Sequence, residues 1–246
     1  MSLSAEQRIA LNYPFGGEAD RSQARLIFDF AIGLSAFDET QQNRKVLDFA
    51  CGTGWTSEWL NRVGYDVYAF DVDPAAIHMA NLRPPLDPRI EPSRFHASLG
   101  DGHSIGFPNC TFGHVFCFDS LHHMKDYPAV FQEMHRVLVP GGRAIFIEPG
   151  SRHSTSPETV NFLHEHSFGD WWFEKDVDLM QIWNLGRETG FCEMRIRPFL
   201  TPHLVDFSFI DWYHILDNPL GISNYMKELR RFTYEDRAIF YLVKSA

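Results

Sequence analysis

The stretch VLDFACGTGW, residues 46–55, is the strongest indication of the fold class. Its first five residues, Val46 to Ala50, form a short, mostly apolar run of the kind that makes a buried parallel strand. Gly52 and Gly54 follow in a turn, and helix-like sequence continues to Gly64. We therefore predict a strand, a glycine turn and a helix, the first half of a βαβ unit.

The next segment completes that unit. Val67 to Phe70 predicts a second strand that stops at Asp71, and Asp73 is placed to cap a helix whose first residue is Pro74. Alternating strands and helices continue along the chain, which predicts an α/β fold: a Rossmann-like, doubly wound, mainly parallel seven-stranded sheet. The further predicted elements are helices at 20–36, 127–138 and 176–189, and strands at 94–97, 114–118, 143–147, 191–198 and 237–244.

The chain length favours a single domain over residues 1–246. We assign its core to about 40–150, 176–198 and 237–244, and cap segments to about 1–36, 151–175 and 199–232. The last two cap segments are rich in aromatic residues, more than an ordinary loop carries, and we predict that they cover a pocket. Those residues are Trp171, Trp172, Phe173, Phe207, Phe209, Trp212, Tyr213 and Tyr225.

Composition excludes some function classes. A net charge of −10 with no basic cluster argues against nucleic acid as a partner. The four cysteines form no CxxC pair, which is typical of reduced thiols in a cytoplasmic protein. No apolar run has the length of a signal peptide core or a membrane span, so we expect a cytoplasmic protein without membrane insertion. The sequence does not indicate an oligomeric state.

The residues at the first two strand ends predict a nucleoside-type ligand. Gly52 and Gly54 let a ligand approach the main chain, and the following helix directs its N-terminal amides at a negative group. Asp71 follows the turn by about twenty residues, where a carboxylate accepts hydrogen bonds from ribose hydroxyls. NAD-binding and flavin-binding proteins use such turns too, so these residues alone leave the cofactor open.

The ordered set of motifs resembles the class I S-adenosylmethionine-dependent methyltransferases. VLDFACGTGW is similar to their first motif and AFDVDP, residues 69–74, to the second. Residues 98–124, SLGDGHSIGFPNCTFGHVFCFDSLHHM, resemble the third and fourth, and VLVPGGRAIFIEPG, residues 137–150, resembles the stretch around the fifth strand. RAIFYLVK, residues 237–244, stands where the family inserts an antiparallel strand. The resemblance implies methyl transfer with S-adenosyl-L-methionine as cofactor.

The resemblance also implies roles for matching residues. Asp48 and Gly52 are expected near the methionine end of the cofactor, and Asp71 at the ribose. Val72 is expected on the adenine face, Asp101 with Gly102 at the adenine amino group, and the carbonyl of Phe118 at the ammonium.

Two positions depart from the family pattern. Ala50 stands where a glycine is common and brings a methyl group close to the methionine moiety, which we expect to be tolerated. Gly113 replaces the aspartate that usually opens the fourth strand, a position that we interpret as structural.

The catalytic candidates follow the fourth and fifth strands. We nominate His123 as general base, His122 as second choice and Glu148 at the same rim, with a structural role for the histidines as the alternative. His164, Glu165 and His166 are further candidates in a cap segment. No HExxH motif occurs and the spacing of His164 and His166 suits only a strand, so we expect no metal site.

We expect a small-molecule or carbohydrate acceptor. FGDWWFEKDVDLMQIWNLGRETGF, residues 168–191, resembles the tail of methyltransferases from bacterial surface-polysaccharide biosynthesis, which implies a sugar hydroxyl. Aromatic rings and carboxylates suit an aromatic acceptor equally well. Two other functions remain: an NAD-dependent oxidoreductase, and a non-catalytic cofactor-binding or interaction module of the same fold.

Overall fold

The computed structural model describes residues 3–15, 20–165, 174–197, 210, 213–214, 218–230 and 237–246. These residues contain a seven-stranded sheet with the order β3-β2-β1-β4-β5-β7-β6. The strands are β1 (Lys45–Phe49), β2 (Asp66–Asp71), β3 (Phe95–Leu99), β4 (Phe112–Phe118), β5 (Leu138–Pro149), β6 (Phe191–Ile196) and β7 (Arg237–Lys244).

Helices connect and cover the strands. They are α1 (Ala5–Asn12), α2 (Asp20–Leu34), α3 (Trp55–Arg62), α4 (Pro74–Leu86), α5 (Tyr127–Val137), α6 (Pro157–Glu165), α7 (Leu179–Thr189) and α8 (Pro219–Arg230). The predicted cap on α4 is present, because the Asp73 side chain accepts a hydrogen bond from the amide of Ala75 and Pro74 occupies the first turn.

The direction of the strands confirms the predicted fold class. Strands β3, β2, β1, β4 and β5 pair in parallel. Strand β7 is antiparallel to both β5 and β6. Parallel strands direct their carboxyl ends to one edge of the sheet, so the segments after β1, β2, β3 and β4 meet there.

Alternate side chains of the central strands enter two cores, which explains the near-continuous apolar runs. Leu47 and Phe49 of β1 pack with α5 and α7 through residues such as Phe131 and Ile182. Val46, on the other face, packs with Leu26 and Phe30 of α2 and with Trp55 and Leu60 of α3. Helices on both faces thus hold the sheet rigid beneath its carboxyl edge.

Two local features differ from or extend the sequence analysis. Helix α5 ends at Val137, and β5 already begins at Leu138, so residues 140–142 lie within the strand rather than between helix and strand. Gly141 has a φ of +74°, and this irregular start explains why the sequence predicts the strand only from residue 143. At Gly113 an added Cβ would lie 2.2 Å from the carbonyl oxygen of Asn43, which explains the absence of the usual aspartate.

The cap segments are described only in part. Residues 1–36 contribute α1 and α2, residues 151–175 contribute α6, and residues 199–232 contribute α8. The aromatic side chains of Trp171, Trp172, Phe173, Phe207, Phe209 and Trp212 lie outside the described residues. None of the helices described is both long and apolar enough to span a membrane.

Candidate functional site

The glycine turn after β1 forms the floor of the site. Gly52 and Gly54 have φ values of +52° and +76°, and Gly54 is the N-cap of α3. An added Cβ at Gly54 would lie 2.8 Å from the Cβ of Ala80, because α4 packs directly against the turn. Glycine is therefore required at Gly54, and the N-terminus of α3 opens toward the carboxyl edge of the sheet.

A pocket of about 370 Å³ lies above this turn. Four of the predicted cofactor residues line it, namely Asp48, Ala50, Gly52 and Phe118. The other predicted residues, Gly54, Asp71, Val72, Asp101 and Gly102, lie outside its lining. The lining also contains residues that the sequence analysis missed: Ile9, Ala10, Tyr13, Cys51, Thr53, Trp55, Thr56, Asp119 and Ser120.

Asp48 is a buried carboxylate in this lining. It accepts a hydrogen bond of 2.7 Å from the hydroxyl of Thr56 and another from the hydroxyl of Ser57. Burial raises the pKa of Asp48 to about 6, although the two hydroxyl donors oppose the shift. A positive ligand group in the pocket would favour the ionised form.

Asp71 joins the ends of β1 and β2. Its Oδ2 accepts a hydrogen bond of 2.8 Å from the amide of Gly52, and its Oδ1 accepts one of 3.0 Å from the amide of Asp73. The carboxylate is therefore fixed beside the glycine turn while remaining partly exposed. Val72, the next residue, is 65% exposed and presents an apolar surface at the same edge.

Asp101 and Gly102 follow β3. The Asp101 carboxylate accepts hydrogen bonds from the amide of His103 at 2.9 Å and from its Nδ1 at 2.7 Å. An added Cβ at Gly102 would lie 2.3 Å from Cζ of Phe49, so the backbone here rests directly on a core ring. Asp71, Val72 and Asp101 thus follow neighbouring strands along one edge.

Strand β4 ends at a constrained segment. The Ser120 hydroxyl donates to the carbonyl oxygens of Phe118, at 2.9 Å, and Ala50, at 3.1 Å. Ala50 and Asp119 have positive φ values of +53° and +48°, which cost conformational energy for residues with a Cβ. Strained backbone at two adjoining strand ends is typical of a functional site.

Asp119 belongs to a buried group of charges. Arg237 in β7 donates to Asp119 through Nη1 and, at 3.0 Å, through Nη2, and its Nε lies 2.8 Å from Oδ2 of Asp29 in α2. Burial would raise the pKa of Asp119, but the charge of Arg237 holds it below its usual value. Asp119 therefore presents a negative charge to the pocket. Its position directly after β4 is the feature of the sequence that could have identified it as a pocket residue.

Helix α1 forms the opposite wall through Ile9 and Ala10. It contains no buried residue of its own. The guanidinium of Arg83 in α4 holds it, because that buried group donates to the carbonyl oxygens of Ala10 at 3.0 Å and Leu11 at 3.3 Å. Arg83 also donates to the carbonyl of Thr53 at 2.6 Å and to Glu58 at 2.6 Å. One side chain thus ties the wall to the glycine turn.

His122 and Glu148 form a buried pair beyond Ser120. Glu148 accepts hydrogen bonds from the amides of Ser120, at 3.1 Å, and Leu121, at 2.9 Å, and its Oε2 lies 2.8 Å from Nδ1 of His122. Burial favours the neutral imidazole, but the hydrogen bond to Glu148 outweighs it and raises the pKa of His122. Glu148 is completely buried, so it positions this segment and presents no atom to solvent.

His123 faces a second carboxylate, Glu174, which the sequence analysis missed. Nδ1 of His123 lies 3.7 Å from Oε1 of Glu174, and Nε2 of His122 lies 3.4 Å from Oε2. His153 contributes a third imidazole, with its Nε2 2.6 Å from Oε2 of Glu174. Burial opposes ionisation of Glu174, but the hydrogen bond from His153 and the nearby imidazoles lower its pKa.

The remaining catalytic candidates do not join this group. His164 and Glu165 are exposed at the end of α6, and His166 lies outside the described residues. No signal in the local sequence joins His122, His153 and Glu174, since they come from three separate segments. Only the fold brings them together.

Residues 47–146 match the model of the family described as "Methyltransferase domain". The chain is 28% identical over 131 residues to the demethylmenaquinone methyltransferase of Geobacillus sp. (strain WCH70), which covers 52% of this chain and 53% of the relative. It is 28% identical over 152 residues to the probable chloroplastic tocopherol O-methyltransferase of Oryza sativa subsp. japonica. This match covers 58% of this chain and 41% of the relative.

Among solved structures, phosphoethanolamine N-methyltransferase 2 of Haemonchus contortus in complex with S-adenosyl-L-methionine superposes with a TM-score of 0.64. The sequence identity is 19%, and the match covers 97% of this chain and 56% of the other. This likeness shows the shared fold. In each of these three comparisons the chain spans about half the length of the matching protein or less.

Proposed function

We propose that this protein, whose residues 47–146 match the model of the family described as "Methyltransferase domain", transfers the methyl group of S-adenosyl-L-methionine to a hydroxyl oxygen of a small-molecule acceptor. The observation that carries the proposal is the pocket at the carboxyl edge, where the glycine turn, the buried Asp48 and the strained end of β4 converge.

The pocket residues fit the chemistry of the cofactor. Asp48 and Asp119 supply negative charge for an ammonium and a sulfonium, while Trp55 and Phe118 supply apolar surface. The amides at the N-terminus of α3 suit a carboxylate. A cationic ligand with one carboxylate therefore matches the arrangement of donors and acceptors.

We assign the remaining contacts along the strand edge. In this proposal Asp71 accepts hydrogen bonds from the ribose hydroxyls, Val72 packs on the adenine face, and Asp101 with Gly102 meets the adenine amino group. The carbonyl of Phe118 accepts from the ammonium, and Ala50 and Gly52 adjoin the methionine end. The order of these residues along the edge, from β3 to β4, supports this single orientation.

When bound, the cofactor supplies an activated methyl group, and the protein aligns the acceptor and excludes water. Ile9, Ala10 and Tyr13 of the α1 wall shield the pocket. We propose that His123 accepts the proton of the acceptor hydroxyl, since it is 24% exposed and lies beside Glu174. His122 is the second choice, and Glu148 fixes its orientation.

Two acceptor classes follow from the sequence and the relatives. The resemblance to polysaccharide-pathway enzymes favours a sugar hydroxyl. The named relatives instead act on demethylmenaquinone and tocopherol, which favours an aromatic acceptor. Both classes are included in the test.

The test measures methyl transfer directly. Purified protein is incubated with cofactor tritiated at the methyl group and with two acceptor panels, nucleotide sugars and phenolic or quinol compounds. Transfer to one panel that is lost in His123→Ala, with cofactor affinity retained, supports the proposal. Tight cofactor binding without transfer to either panel supports the non-catalytic module instead, and binding of NAD in place of S-adenosyl-L-methionine supports the oxidoreductase.

A further inference from the structure

We propose that His122, His123 and Glu174 form a binding site for one divalent transition-metal cation, with zinc as the best match. One atom from each residue lies within 4.8 Å of the other two. The site adjoins the cofactor pocket, because His122 follows pocket residue Ser120 by two positions. Binding of the cation does not depend on the proposed methyl transfer.

The distances in this group suit ligands of a common ion. Zinc binds imidazole nitrogen and carboxylate oxygen at about 2.0–2.2 Å in a tetrahedral arrangement, which separates neighbouring ligand atoms by about 3.4 Å. Nε2 of His122 lies 3.4 Å and Nδ1 of His123 lies 3.7 Å from oxygens of Glu174. Both separations exceed the usual range of a direct hydrogen bond.

The surroundings orient the ligand atoms. Nδ1 of His122 lies 2.8 Å from Glu148, so the carboxylate fixes the tautomer that leaves Nε2 of His122 with a lone pair toward Glu174. The amides of Ser120 and Leu121 in turn hold Glu148. A carboxylate behind a ligating histidine is the usual support of a metal-bound imidazole.

His153 supports the third ligand. Its Nε2 lies 2.6 Å from Oε2 of Glu174, and its Nδ1 lies 3.2 Å from the hydroxyl of Thr159. The carboxylate is therefore fixed with Oε1 toward His123. Two imidazoles and one carboxylate suit zinc and iron(II), whereas magnesium and calcium prefer oxygen ligands alone.

Coordination has a consequence for His123. A neutral imidazole has one lone pair, and the cation would use the lone pair on Nδ1. His123 could then not accept a proton while the cation is bound. Zinc binding and the proton-accepting role of His123 therefore exclude each other, so added zinc is expected to slow a transfer that uses this base.

The experiment measures zinc binding without cofactor or acceptor, so that its outcome is separate from the test of methyl transfer. The full chain is freed of metal with a chelator and titrated with zinc chloride by calorimetry. Wild type is expected to bind one zinc ion. Glu174→Gln and His123→Ala are each expected to bind zinc at least about 100-fold more weakly. Each variant removes a zinc ligand, which costs more affinity than the removal of a residue that only orients a ligand.

His96→Ala is the matched control, because His96 also lies beside a carboxylate, Asp66, at 3.2 Å but is remote in the sheet. It is expected to bind zinc like wild type. Circular dichroism checks folding, and the His123→Ala variant, at a side chain that is 24% exposed, keeps the test decisive if Glu174→Gln does not fold. Absence of stoichiometric zinc binding by wild type, or unchanged affinity in a folded ligand variant, overturns the proposal.

Discussion

Replacement of Arg83 by Met is expected to release helix α1 from the pocket. The guanidinium donates to the carbonyl oxygens of Ala10 at 3.0 Å and Leu11 at 3.3 Å. A hydrogen bond from a charged donor contributes about 1.5 kcal/mol at the lower end of its range, so the two together contribute about 3 kcal/mol. That free energy corresponds to a roughly 150-fold change in the ratio of docked to released helix.

Apart from Arg83, ring contacts of Tyr13 with Trp55 and of Phe15 with Trp59 hold the chain just after helix α1. The helix itself has eight residues and no buried side chain, and a helix of this length is not stable in water on its own. Hydrogen exchange followed by mass spectrometry on residues 3–15 measures its release. We expect amide exchange in α1 to be roughly 100-fold faster in Arg83→Met, with exchange in β1 much less affected.

The control variant is Arg89→Met. Arg89 is 71% exposed, and its ion-pair partner is Asp87 rather than a residue of α1. Exchange in α1 should be unchanged in this variant. Unchanged exchange of α1 in Arg83→Met would show that Arg83 does not hold the helix, and equal acceleration in α1 and β1 would indicate global unfolding instead of local release.

Two further predictions concern pH. Burial lowers the pKa of His114 to about 3. Below about pH 6.5 the imidazole therefore binds a proton in the unfolded chain but not in the folded chain, and the free energy of unfolding decreases as the pH falls. Urea unfolding at pH 7.5 and 5.0 should therefore show wild type losing about 2 kcal/mol more than His114→Gln, and equal losses would contradict this. Burial raises the pKa of Asp48 to about 6, so affinity for a cationic cofactor should fall about tenfold between pH 7.5 and 5 and stay flat in Asp48→Asn. Calorimetry at both pH values checks this, and a parallel decline in the variant would exclude Asp48 as the cause.

The sheet was predictable from the sequence because its central strands are buried on both faces. Residues Val46 to Phe49 are buried and apolar, apart from Asp48, whose carboxylate accepts a hydrogen bond from the hydroxyl of Thr56. Such an apolar run is easy to recognise in the sequence. Strand β7 has the predicted bounds for the same reason, since six of its eight residues are buried. The start of β5 was missed because the positive φ of Gly141 suits a turn as well as an irregular strand.

The pocket was only partly predictable. Strand ends in a parallel sheet meet at one edge, which explains why the predicted cofactor residues Asp48, Gly52 and Phe118 line one pocket, while their contacts with the cofactor stay a prediction. Ile9 and Tyr13 were not recognised, because α1 buries no side chain of its own and is held by Arg83 from a distant helix. Such long-range contacts leave no pattern in the local sequence.

Titration of Asp71→Ala with S-adenosyl-L-methionine measures whether the Asp71 carboxylate, beside the glycine turn, holds a nucleoside-linked cofactor. Two hydrogen bonds to a charged acceptor contribute about 3 kcal/mol, so we expect a dissociation constant roughly 150-fold higher than that of wild type. Asp73→Ala, which removes only the cap of α4, should bind nearly as wild type does. An unchanged affinity for S-adenosyl-L-methionine in folded Asp71→Ala would show that Asp71 does not hold the cofactor.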